Sequence, residues 1–173
     1  SLYKRMYELR NDLEVITCYL IDLNDESFTG LNSFKEYSLE KPAAEFSFPN
    51  YLLICREEIS GSSEWYNNSA PSDNLDPEAV NSFIRLTHEK YKKRFSSKFG
   101  TAIKGFFTDE PNYCDFFASF TKGRPWLPWS TNLAGYFQKQ RGYELHKIIP
   151  LLFFHGEGEK KARYDYWLTL TEL

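Results

Sequence analysis

The fold turns on "GTAIKGFFTDEPNY", Gly100 to Tyr113, where an apolar run ends on Asp109, Glu110 and Pro111. Ala102 to Thr108 is apolar on both faces and follows a helical pattern after almost no loop, which suits a strand buried in a parallel sheet. In folds built from such strands, the C-terminal strand ends carry the chemistry. A carboxylate at that mouth, with Phe106, Phe107, Tyr113 and Phe116 nearby, would be partly desolvated, which raises its pKa and suits a general acid. Adjacent acids alone mean little, because Asp25-Glu26 and Glu57-Glu58 also occur. In the plainer account, one acid caps the next element or pairs with Arg124.

Upstream, Asp76-Pro77-Glu78 is a helix start: a side-chain acceptor, a pre-set φ and a negative charge near the positive end of the dipole. The helix is expected to run to Phe99 and to pack on the Ala102–Thr108 strand. Its apolar face would be Val80, Phe83, Ile84, Thr87, Tyr91, Phe95 and Phe99, with Glu89, Lys90, Lys92, Lys93 and Arg94 in water and Gly100 as the terminating cap. Before it, "SGSSEWYNNSAPSDNLDP", Ser60 to Pro77, is too rich in Gly, Ser, Asn and Pro for regular structure and long for a connector.

Downstream of the acids, Ser130 is expected to cap a helix with Leu133, Tyr136 and Phe137 inward and Gly142 at its end. A shorter helix should include Leu145 to Phe154, broken at Pro150. A third covers Glu159 to Leu173, with Ala162, Tyr166, Trp167, Leu170 and Leu173 on one side. The alternation of helix, buried strand, loop and helix is the grammar of an α/β barrel or a doubly wound sheet. No G-x-G-x-x-G or G-x-x-x-x-G-K-[ST] occurs, so nucleotide binding lacks its main support and a fragment of a barrel is the expectation.

Residues 1–60 read differently. "LEVITCYLID", Leu13 to Asp22, and "AEFSFPNYLLICREEI", Ala44 to Ile59, broken at Pro49-Asn50, are rich in β-branched and aromatic residues and predict at least three strands. Only the polar "NDESFTGLNSFKEYSLEKP" lies between them, so antiparallel pairing is favoured over a parallel crossover. The domain reading is therefore a β-rich unit over 1–60 and a barrel segment over 61–173.

The chain has 173 residues, 42% hydrophobic and 18% aromatic, enough for a packed core. A net charge of -3 provides no basic field to attract nucleic acid, and no apolar run approaches the ~18 residues of a membrane span, so neither nucleic acid nor membrane is expected as a partner. Cys18, Cys55 and Cys114 are odd in number and widely spaced, which suggests neither a disulfide framework nor a zinc site. His88 is expected at the edge of a helix's apolar face, and His146 and His155 in solvent, with no carboxylate or second His at a metal-ligand spacing. Neither metal nor cofactor is expected. The absence of an initiator Met and a final helix cut in phase suggest an internal piece, which leaves compartment open. Aromatic loops offer flat faces for the C–H bonds of a sugar: Trp126 and Trp129 in one, Trp65 with Asn67 and Asn68 in the other. Loop tryptophans also serve simply to close cores.

Several segments resemble a known family. "LDPEAVNSFIRLTHEKYKKRFSSKFGTAIKGFFTDEPNY", "LPWSTNLAGYFQKQRGYEL" and "ARYDYWLTLTEL" are similar to the middle of the catalytic barrel of large bacterial glycoside hydrolases of the α-L-rhamnosidase kind, family 106, and their uncharacterised relatives. The similarity covers about Asp73 to Leu173 in an ordered series: Leu-Asp-Pro-Glu-Ala, Thr-His-Glu-Lys-Tyr, Phe-Thr-Asp-Glu-Pro, Pro-Trp-Ser, Arg-Gly-Tyr and Tyr-Asp-Tyr-Trp. Residues 1–60 match only loosely. The resemblance implies a (β/α)8 barrel with the first 60 residues as a β-rich insertion. It also implies Glu110 as a catalytic carboxylate, Asp109 beside it orienting or binding, and a carbohydrate substrate. The second carboxylate that glycoside hydrolysis requires would lie outside this chain. A non-catalytic carbohydrate-binding or scaffold module is the alternative. Barrel sections expose faces normally covered, so self-association is also expected.

Overall fold

A computed structural model describes residues 15–23, 29–38, 51–108 and 125–173 of the chain. The result is mixed α/β with an antiparallel sheet, in two units: residues 1–59 with 134–172, and residues 60–133 with Leu173.

In the first unit, three strands form a sheet in the order β2-β1-β3: β1 (Val15–Leu23), β2 (Leu31–Glu36) and β3 (Tyr51–Arg56). Both pairings are antiparallel, as expected from residues 1–60. β1 is the centre because its Val, Ile, Thr and Tyr residues tolerate burial on both faces, and Thr17 to Ile21 are buried without alternation. Tyr19 sits opposite Glu36 on one side and Leu53 on the other. The sequence reading missed β2, which lies inside the stretch read as a polar connector. Its outer positions are polar because it is an edge strand, and Leu31 and Tyr37, just beyond its end, supply the buried contacts. The strand expected over residues 44–48 lies outside the described residues.

The helices of this unit are α3 (Leu133–Arg141), α4 (Ile149–Phe153) and α5 (Glu159–Glu172), where α3 belongs to it from Ala134 onward. Phe137 of α3 is fully buried, edge-on to Tyr143 with ring centroids 5.1 Å apart. Gly142 ends α3 as expected: its φ of 79° is left-handed, and its N–H donates to the Gln138 carbonyl at 2.9 Å. Pro150 does not break a helix. It lies in the first turn of α4, where its missing N–H costs nothing, after a 3-10 turn over Leu145–Ile148. α5 buries Ala162, Asp165, Tyr166, Thr169 and Leu170, while the expected inward residue Trp167 is about half exposed.

Sheet and helices are tied by backbone and side chain. The Tyr19 hydroxyl donates to the His146 carbonyl at 2.5 Å. The Leu31 N–H donates to the His155 carbonyl at 2.6 Å and the His155 N–H to the Thr29 carbonyl at 2.7 Å. Next to this seam, a Cβ on Gly156 would stand 3.0 Å from the Leu31 carbonyl oxygen, so a larger residue would have to push the β2 backbone aside by a few tenths of an ångström.

The second unit holds α1 (Pro77–Leu86) and α2 (His88–Phe95), followed by a 3-10 turn over Ser96–Lys98. The helix start is as read: the Asp76 carboxylate accepts the Glu78 N–H at 3.0 Å, with Pro77 in the first turn. A single helix to Phe99 was expected, but Thr87 divides it. Its hydroxyl donates back to the Phe83 carbonyl at 2.6 Å and lies 2.9 Å from His88 Nδ1, a side-chain competition that bends helices. Ser130, expected to cap α3 through its side chain, accepts the Leu133 N–H through its carbonyl instead, and its buried hydroxyl has no hydrogen-bond partner among the described residues.

The largest correction concerns Ala102 to Thr108. It is neither strand nor buried: Thr101 and Ala102 form a turn, Ile103 makes a single bridge to Phe99, and residues 104–108 are irregular and exposed. A strand apolar on both faces needs a partner on each edge, and all the named strands described belong to the other unit. The apolar residues cluster around a ring instead. Phe106 packs against His88, Tyr91 and Phe99 at centroid distances of 5.2, 5.8 and 6.0 Å, and Phe83 contacts His88 at 5.4 Å. The helix face thus meets the segment it was expected to meet, yet both remain solvent-accessible: Phe106 is 52% and Phe107 88% exposed.

Candidate functional site

Asp109, Glu110 and Tyr113 lie outside the described residues, as does Cys114. The segment leading to the acids is described. Gly100, at a left-handed φ of 77°, donates its N–H to the Ile103 carbonyl at 2.9 Å, and the Ile103 N–H donates to the Lys98 carbonyl at 2.9 Å. This knot aims residues 104–108 outward along the aromatic cluster. The desolvating strand mouth that first singled out Glu110 is not formed by the described residues before it.

The tryptophan candidates are described, and all belong to the second unit. Trp65 stands at the tip of a closed loop. Ser63 and Ser69 bridge its base at 3.1 Å, and Asn67 and Asn68 both take left-handed φ values, 54° and 59°. Asn tolerates that region better than most residues, because its short amide can bond locally. The Asn67 N–H donates to Glu64 at 3.1 Å and the Asn68 N–H to Ser63 at 2.9 Å, so the loop is held by its own backbone. Trp65 is 87% exposed. Trp126 is also exposed, whereas Trp129 is half-buried beside the buried Pro128 and Ser130. No ring contact joins Trp65 or Trp126 to another aromatic among the described residues.

His88 lies at the boundary as expected, between Phe83 and Phe106. His155 departs from expectation, since a carboxylate does stand four residues on. Its Nδ1 is 2.8 Å from Glu159 Oε2, which also accepts the Gly156 N–H at 3.2 Å and lies 3.6 Å from Arg163. Burial favours the protonated form of Glu159, but these partners outweigh it and hold the carboxyl below its ordinary range. His146 is half-buried, not exposed. Burial pushes the Cys18 thiol up to about 11 and the Cys55 thiol to about 12, so neither is a nucleophile near neutral pH. Among the described residues, no group of three His, Cys, Asp or Glu could hold a metal ion, and no helix is long and apolar enough to cross a membrane.

The sequence reading overlooked a cluster assembled from two of its own motifs, Arg141-Gly142-Tyr143 and Tyr164-Asp165-Tyr166-Trp167. The Tyr143 hydroxyl donates to Asp165 Oδ2 at 2.5 Å, and the Lys161 ammonium donates to the same oxygen. Lys161 also lies 4.7 Å from the centroid of the Tyr143 ring. Arg141 donates to the Thr169 hydroxyl at 3.0 Å and pairs with Glu172, while Thr169 donates to the Asp165 carbonyl at 2.6 Å. Burial pushes Asp165 up, but the Lys161 and Tyr143 hydrogen bonds overcome it and hold the carboxyl below its ordinary range. Tyr143 is raised, first by burial and then by the Asp165 bond. An ionised acid held by two donors, beside a phenol that resists ionisation, is an interlock between α5 and the turn after α3. The open groove of about 400 Å³ along α5, lined by Arg163, Tyr164, Trp167, Leu168 and Thr171, has its guanidinium committed to the Leu151 and Phe154 carbonyls. No family model, curated protein or solved structure matches this chain.

Proposed function

We propose that this chain is part of a glycoside hydrolase, with Glu110 as proton donor or base and Asp109 orienting it or holding a sugar hydroxyl. The finer architecture belongs to the same proposal: a (β/α)8 barrel segment with a β-rich insertion, whose opposing carboxylate is supplied from elsewhere in the barrel. That partner would stand ~5 Å from Glu110 for retention or ~6.5 to 9.5 Å for inversion. Trp65, Asn67, Tyr113, Trp126 and Trp129 would line the sugar path.

Support comes first from the order of motifs between Asp73 and Leu173, and among structural observations from Trp65. A large indole kept in water forgoes burial worth a few kcal/mol, and this one is held there by a loop that closes on its own backbone. A flat apolar face presented on a fixed stem suits the C–H surface of a sugar ring. A second reading, a carbohydrate-binding or scaffold module without catalysis, draws on the exposed, irregular course of residues 104–108, where a buried strand had been expected to lead to the acids.

Substitution of the two acids in the complete enzyme separates these readings. Glu110→Gln keeps shape and hydrogen-bonding span but cannot transfer a proton, so turnover should fall by ~10² to 10⁴ while sugar binding survives. Asp109→Asn should cost less and appear partly in KM. Unchanged turnover in Glu110→Gln with a dead Asp109→Asn would move the chemistry off Glu110.

A further inference from the structure

The apolar face of α1 continues onto α2 across the joint at Thr87. Ring contacts join it into one patch: Phe83 to His88, His88 to Phe106, Phe106 to Tyr91 and Phe99, and Tyr91 to Phe95 at 6.2 Å between centroids. Val80 lies one helical turn before Phe83. Val80, Phe83, Tyr91, Phe95, Phe99 and Phe106 are all between 37% and 54% exposed. The pattern is symmetric about Thr87: Phe83 and Tyr91 stand four residues to either side of it, Ala79 and Phe95 eight, and Asp76 and Lys98 eleven. Around α2, Arg94 lies about 60° from Tyr91 and Lys92 about 60° from Phe95, so the two bases flank the aromatic seam. The two ends carry opposite charge. Asp73 and Asp76 lead into α1, whereas Lys92, Arg94 and Lys98 close α2 and the turn after it. Charges of these signs also suit the helix dipoles, but a dipole accounts for no exposed ring.

We propose that this face is the interface of an antiparallel, two-fold dimer of the chain, with Thr87 at the axis. A two-fold interface uses the same patch on both copies, so the patch must complement itself. About Thr87 it does: Phe83 of one copy meets Tyr91 of the other, the small Ala79 meets Phe95, and Asp76 meets Lys98. Antiparallel pairing sets the basic end of each copy beside the acidic approach to α1 of the other. Parallel pairing would set Lys92 and Arg94 against their own copies, like charges at close range. The six apolar side chains together expose on the order of 500 Å², most of the ~800 Å² that each side of a standard interface buries. The stems of Lys92 and Arg94 add to that area. An unrelated partner would use the rings alone and leave the match about Thr87 without a role. The dimer does not rest on the sugar-cleaving reading above.

Sedimentation equilibrium of the 173-residue chain over a concentration series tests this. Monomer and dimer are expected and nothing larger, because a two-fold interface closes on itself. Phe83→Glu and Tyr91→Glu should each weaken the dimer by about thirtyfold or more, with circular dichroism verifying that both variants fold. The triple variant Lys92→Gln, Arg94→Gln, Lys98→Gln reads the orientation. It should weaken an antiparallel dimer by roughly three- to tenfold, because attraction to Asp73 and Asp76 is lost, whereas in a parallel dimer it relieves repulsion and tightens the pair. The variant Lys35→Gln, Lys139→Gln, Lys160→Gln makes the same charge change at exposed positions of the other unit and should leave the dimer unchanged. A monomer at every concentration, species that keep growing with concentration, a dimer indifferent to both Phe83→Glu and Tyr91→Glu, or a tighter dimer in the Lys92, Arg94 and Lys98 variant would overturn the proposal.

Discussion

Tyr143→Phe probes the interlock between α5 and the turn after α3. The substitution keeps the ring against Phe137 and beneath Lys161, and deletes only the hydroxyl that donates to Asp165 at 2.5 Å. Asp165 is buried, so its carboxylate loses one of two donors without water to replace it. A hydrogen bond to a charged group contributes about 1.5 to 3 kcal/mol, and urea unfolding at neutral pH should show a loss in that range. The pH dependence follows from the carboxyl's depressed pKa. Stability from a depressed acid is fully present above the unfolded-state value, about 3.9, and disappears as pH falls through the lower folded-state value. The difference between wild type and Tyr143→Phe should therefore be constant from neutral pH down to about 4 and shrink below it, leaving a neutral hydrogen bond of about 0.5 to 1.5 kcal/mol. Lys161→Met should act in the same direction and by less, because Lys161 is largely exposed. A Tyr143→Phe protein as stable as wild type at neutral pH, or a difference that grows on acidification, would show that Asp165 is not an ionised acceptor.

Phe137→Ala empties a fully buried position and should cost about 3 to 5 kcal/mol in the same unfolding assay, whereas Phe137→Leu should cost much less. Asp76→Ala removes the N-cap of α1 and should lower stability by about 0.5 to 2 kcal/mol, with Asp76→Asn close to neutral. Phe83, Ile84, Tyr91, Phe95 and Phe106 are all exposed large apolar residues, so the chain should self-associate. Light scattering should report a mass that falls on dilution and with Phe95→Glu, and a dilution-independent monomer would contradict this.

Local chemistry was legible where a single residue's conformation decides it. Asp76-Pro77 starts a helix and Gly142 ends one whatever surrounds them, and the β-branched run of β1 forms the central strand that its composition suits. Reading failed where the outcome depends on neighbours. Ala102 to Thr108 has the composition of a buried strand, but composition cannot supply the flanking strands that burial requires. β2 has the composition of a loop, because an edge strand faces water along its outer positions. The break at Thr87 came from a hydroxyl competing for the Phe83 carbonyl, an effect invisible to apolar periodicity. For the candidate site, the sequence marked the exposed tryptophans and the acids, and overlooked Tyr143 and Asp165. They are 22 positions apart, and only the packing of α5 brings them together.

The role of Glu110 in breaking a glycosidic bond is tested most directly by hydrolysis of two glycosides by Glu110→Gln in the complete enzyme. One should have a leaving group that needs a proton and the other an activated leaving group that does not. With Glu110 as general acid, the variant should lose ~10² to 10⁴ in turnover on the first and recover much of the wild-type rate on the second. Wild-type turnover of the first glycoside by Glu110→Gln would contradict the assignment and leave Glu110 a structural acid.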